Sequence, residues 1–190
     1  MKKIAFVFIS LFFLSFQTPE VLSKMVDAVY IPESVVVVEG VDNEGVPVVI
    51  KFDKKKNSFE EQTEIPFFFK LFFFPSDHTA PETMVKASKK IAEELKAKGV
   101  KTENCIVSAI GHGGEAAISI GKERRFSSAN ELTLFKNSYL PQSLTINEET
   151  TLFSDYHKSV LPAAFPGKIE FYSSGNLVKT WTFYRKEHQL

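Results

Sequence analysis

Val46-Pro47-Val48-Val49-Ile50-Lys51-Phe52-Asp53 alternates: Val46, Val48, Ile50 and Phe52 fall on one side of an extended chain, and Pro47, Val49, Lys51 and Asp53 on the other. A period of two over such a stretch is the pattern of a strand with one face on a core. Just upstream, Val35-Val36-Val37-Val38 is a β-branched run, and Asp42-Asn43-Glu44-Gly45 supplies turn chemistry between the two. An antiparallel hairpin is therefore expected, with Lys54-Lys55-Lys56-Asn57 as its solvated exit. The C-terminal end carries a second hairpin, in which Ile169–Tyr172 and Leu177–Tyr184 flank Ser173-Ser174-Gly175-Asn176 and Trp181 and Phe183 face inward.

Pro66 and Pro75 bracket Phe67-Phe68-Phe69-Lys70-Leu71-Phe72-Phe73-Phe74, where only Lys70 is polar. A continuous apolar run bounded by turn signals predicts a central strand covered on both faces. Lys70 should then snorkel to an edge or face a polar cavity. Two functional alternatives use the same phenylalanines, as the wall of an apolar pocket or as a membrane or partner contact. An outer-membrane barrel strand would alternate polar and apolar positions, and this run does not.

A helix is predicted from about Ala80 to Lys98. Thr79 caps it, Pro81 stands in the first turn, and Glu82 completes a capping box. Met84, Ala87, Ser88, Ile91, Ala92 and Leu95 form an apolar stripe, and Gly99 stops the helix. Cys105–Ile110 and Ala116–Ile120 then read as two strands joined by Gly111-His112-Gly113-Gly114. From Glu123 to Pro166 the pattern weakens to short β-like pieces at Leu132–Phe135 and Leu144–Ile146, which suggests a long excursion over the surface. These elements define an α+β class: a mainly antiparallel sheet, with strong curvature or a barrel-like form left open, packed by one long amphipathic helix.

The N-terminus has the layout of a secretory signal peptide: Met1-Lys2-Lys3, then apolar or small residues from Ile4 to Phe16, then a polar stretch with Pro19. The run is shorter than the roughly 20 residues needed to span a bilayer. Cleavage is expected after Ser23, with Ala28 as second choice, so residues 1–23 are read as the leader and 24–190 as a single domain with no stable transmembrane anchor after cleavage. The expected destination is periplasmic or extracellular. Cys105 is the only cysteine, so the domain holds no internal disulfide and must rely on its core. With 23 basic and 23 acidic residues the chain is neutral, which argues against a nucleic-acid partner.

Candidate chemistry is sparse. In Gly111-His112-Gly113-Gly114-Glu115 the glycines permit close approach of a ligand, while His112 and Glu115 could serve as acid and base. No Gly-x-Ser-x-Gly nucleophile elbow accompanies them, and an exposed histidine on a glycine-rich turn is the plainer interpretation. Asp77-His78 and Asp155-Tyr156-His157 offer metal-type donors without any known ligand spacing. The sequence therefore assigns no metal, no cofactor and no catalytic residue. It points to a binding or interaction protein outside the cytoplasm, with His112, Glu115 and Lys70 as ligand-binding candidates and an apolar small molecule or another protein as partner. The competing reading is a hydrolase or metal-assisted enzyme centred on His112 and Glu115.

Overall fold

The computed structural model describes residues 18–31, 34–56, 58–61, 65–73, 81–108, 116–122, 130–156, 161 and 164–187. The apolar run from Ile4 to Phe16, all four histidines and Glu115 lie outside these residues.

The hairpin expected from the Val46–Asp53 alternation is present as β1 (Val35–Asp42) and β2 (Pro47–Asp53), paired antiparallel with Val38 opposite Ile50. Asp42 closes its turn, because one carboxylate oxygen accepts from the Glu44 and Val46 amides at 2.9 and 2.8 Å. The C-terminal hairpin is β9 (Lys168–Ser173) and β10 (Asn176–Glu187), and Trp181 and Phe183 point into the core as expected. Between these pairs lie β3 (Ser58–Glu61), β4 (Cys105–Ser108), β5 (Ala117–Ile120), β6 (Glu131–Phe135), β7 (Pro141–Ile146) and β8 (Glu149–Ser154).

Among the described residues the ten strands form one antiparallel sheet in the order β3-β2-β1-β10-β9-β8-β7-β6-β5-β4. It is open, with β3 and β4 at its two edges, so a closed barrel is not what forms. The expected surface excursion from Glu123 to Pro166 is corrected as well, because β6, β7 and β8 within it form a meander in the body of the sheet.

Strands from the two ends of the chain meet where β1 pairs with β10. Their register shifts between Glu39 and Gly40, and a Cβ on Gly40 would lie only 2.4 Å from the Thr182 carbonyl oxygen. Glycine is what permits this approach.

One face of the sheet carries the buried apolar side chains, including Val38, Ile50, Ile118, Leu132, Phe153, Ile169 and Phe183. No single helix covers it. Helix α1 (Thr18–Ala28) and helix α2 (Pro81–Ala97) pack together and share one core with the sheet. Within the stripe predicted for α2, Ile91 and Leu95 are fully buried. Gly99, at positive φ, ends that turn beside Asn130. The Asn130 amide donates to the Lys98 carbonyl at 2.8 Å, and its oxygen accepts from the Asn147 amide at 2.7 Å, so one side chain ties the end of α2 to β6 and the β7–β8 turn.

The phenylalanine run is the largest correction, for it is helical rather than a strand. Phe67 and Phe68 begin a helical turn that continues as a π-helical turn over Phe69–Phe73, started by the Phe69 amide on the Pro66 carbonyl at 3.0 Å. Phe74 lies outside the described residues. An apolar run without alternation fits a buried helix as well as a buried strand. Its one charge decides between them: Lys70 stands three residues after Phe67, and those two are exposed together while Phe68, Phe69, Phe72 and Phe73 are buried. The turn packs on the sheet through rings, with Phe68 against Phe153 at 5.4 Å and Phe69 against Trp181 at 5.7 Å.

The Gly40 contact makes a direct prediction. Gly40→Ala forces a methyl group into the Thr182 carbonyl and should lower unfolding free energy by roughly 1–3 kcal/mol, the usual cost of overpacking. Urea denaturation reads the loss, and an unchanged midpoint would mean that β1 and β10 do not approach as described.

Candidate functional site

The same turn that buries four phenylalanines presents Phe67 to solvent, 42% exposed. It does so at a groove of about 570 Å³ between β3, the π-helical turn and α2. Phe59 of β3, Ile65 and Pro66 ahead of the turn, and Phe67 and Leu71 within it supply apolar surface, while Lys70, Lys90 and Glu94 stand among them.

Each wall has a local cause. Phe59 is held by its ring contact with Phe52 of β2, 4.9 Å between centroids, so the edge strand keeps one aromatic face toward the groove. Phe67 leans edge-on to Phe68 at 5.8 Å, and Lys98 lies with its ammonium 5.0 Å from the Phe67 ring centre. A cation over a phenyl face is a favourable arrangement. Lys90 and Glu94 lie one helical turn apart on α2. Lys70 is therefore not on a strand but beside an open groove whose lining is apolar and polar in about equal measure. Single-turn π-helical segments recur at functional sites in other proteins, which adds weight to this location.

A second cleft, of about 400 Å³, lies where the chain enters β5. Ala116, Phe135, Lys136, Asp155 and Tyr156 line it. Asp155 holds a left-handed backbone at φ 57° and accepts the Gly167 amide at its carbonyl, 3.1 Å away. Ala116 directly follows Glu115, but His112 and Glu115 themselves, like His78 and His157, lie outside the described residues. Of the three candidate residues, Lys70 alone is placed, and the groove it lines also holds apolar side chains, Lys90 and Glu94. The aromatic exposure at Phe67 has no local signal in a run of near-identical residues, apart from its spacing to Lys70.

Cys105 stands on edge strand β4, half-buried, with the Thr18 hydroxyl beside it. Burial pushes its thiol up, away from the thiolate that a nucleophile needs. Among the described residues no three His, Cys, Asp or Glu side chains cluster in a way that could hold a metal ion. Among them, too, no helix is long and apolar enough to cross a membrane. Comparison with protein-family models, with curated proteins and with solved structures finds no match to this chain.

Tyr156 sits at the back of the second cleft, its hydroxyl donating to the Pro141 carbonyl at 2.8 Å and its ring edge-on to Phe135 at 6.1 Å. Burial raises its phenol well above the ordinary value. In the unfolded chain the phenol ionises near pH 10, so the stability it contributes is complete below about pH 10 and is lost as pH rises beyond that. Between about pH 9 and about pH 11 the urea midpoint should fall more steeply for the natural chain than for Tyr156→Phe. Equal slopes would show that Tyr156 does not titrate against folding.

Proposed function

We propose that this chain is an exported binding module whose groove takes an amphipathic small molecule, an extended apolar chain ending in an anion. The observation that carries the reading is the exposed Phe67 ring in a groove whose lining joins apolar side chains to polar ones, Lys70, Lys90 and Glu94 among them. Ligand sites are typically concave, mostly apolar, and furnished with a few polar groups that fix orientation. Here phenylalanine and isoleucine surface would take up the chain, and the two ammonium groups would hold the charged end. Glu94 disfavours a second negative charge at the same place. Export is supported by the basic start and the Ile4–Phe16 apolar run.

Isothermal titration with dodecanoate and with dodecyltrimethylammonium, chains of equal length and opposite charge, tests the reading. Dodecanoate should bind more tightly. Phe67→Ala should weaken both probes, while the paired Lys70→Glu and Lys90→Glu change should weaken dodecanoate alone by roughly threefold or more, the scale of two exposed charge contacts. Equal affinity for both probes, or dodecanoate binding unaltered in both variants, would overturn it.

A further inference from the structure

We propose that helix α1 stays with the folded domain in the mature protein, so that neither the Ser23–Lys24 bond nor the Ala28–Val29 bond is where a leader is released. Both bonds fit the small-residue pattern of a signal-peptidase cut, yet the first lies within α1 and the second at its end.

The helix is core. Val21, Leu22, Met25, Val26 and Val29 have no exposed surface, and they stand on both sides of the Ser23–Lys24 bond. Helix α1 also meets both ends of the open sheet. At its start the Thr18 hydroxyl lies beside Cys105 of edge strand β4. At its middle Lys24 pairs with Glu20 at 2.9 Å and lies over the Tyr139 ring, 5.2 Å from its centre, in the β6–β7 turn. Just past its end, the Lys54 ammonium from the β2–β3 turn donates to the Ile31 carbonyl and lies over the Tyr30 ring. The segment from Thr18 to Ile31 thus lies beside the β4 edge at its start and the β2–β3 turn at its end.

A cut after Ser23 removes the part of the segment that lies beside β4. It takes Glu20 from Lys24 and two fully buried side chains, Val21 and Leu22, from the core. The domain with all its contacts starts at or before Thr18.

The test is the intact mass and N-terminal peptide of the folded protein made from the full natural chain, taken from whichever cell fraction holds it. An N-terminus at or before Thr18 is expected, and a folded protein beginning at Lys24 or Val29 overturns the proposal. Leu22→Ala in the full chain gives a second reading. If α1 is retained, the recovered protein unfolds at a distinctly lower urea concentration than the natural one. If residues 1–23 are removed, the substituted residue is gone and the midpoint stays the same, which also overturns the proposal.

Discussion

The antiparallel sheet, ten-stranded among the described residues, presents one broad apolar face, and the fold depends on covering it. Nine strand pairings hold the sheet, and eight of them join strands adjacent in the chain. The exception is the meeting of β1 with β10, made necessary because the chain leaves one edge at β3 and re-enters at the other edge at β4. That single crossover carries the π-helical turn and α2, so the segment that moves the chain between edges also supplies most of the cover. At roughly 1.5–3 kcal/mol for each large apolar side chain buried, Phe68, Phe69, Phe72 and Phe73 make the turn a major source of stability in a domain that has no disulfide. Their rings meet Phe153, Phe165, Phe171 and Trp181, so β8, β9 and β10 and the segment that leads into β9 are all packed on one short turn.

Much of the sheet was legible because alternation is a local property. Val48, Ile50 and Phe52, and likewise Trp181 and Phe183, announce an inward face without reference to anything distant. The meander β6–β7–β8 was harder to see for two reasons. Its turn is Asn147-Glu148, both at positive φ, and a glutamate there gives none of the glycine signal that usually marks such a hairpin. Its strands also carry hydroxyl side chains on the face away from the helices, with Thr133 bonded to Ser143 at 2.6 Å in a buried position, so the contrast between faces is weak. Helix α1 was concealed differently. Its residues follow an apolar leader-like run and match a cleavage pattern, and only tertiary packing shows that they belong to the core.

The phenylalanine run shows where periodicity stops being informative. Seven apolar residues in eight leave no polar face whose spacing could separate helix from strand, and length does not decide for so short a segment. Lys70 held the available signal, since a helical spacing from Phe67 to Lys70 sets both on one side. The groove was legible only through that lysine. Phe59, Ile65, Lys90 and Glu94 reach it from three other parts of the chain, and nothing local in the sequence brings them together. His112 and Glu115 are marked in the sequence only by the glycines around them, a local signal that says nothing about neighbours in space.

The phenylalanine turn, through its buried face, holds the sheet and its cover together, and a paired truncation separates that face from the exposed one. Phe69 has no exposed surface and meets Phe73, Phe165 and Trp181 at 5.8, 6.1 and 5.7 Å, whereas Phe67 stands two residues away in the groove. Measured by equilibrium urea denaturation, Phe69→Ala should cost about 3–5 kcal/mol, the range for a buried phenylalanine, and Phe67→Ala less than about 1 kcal/mol. Equal losses for the two would show that the turn does not hold the sheet in this way, because a strand buried on both faces, or a turn lying wholly at the surface, would not separate these two neighbours.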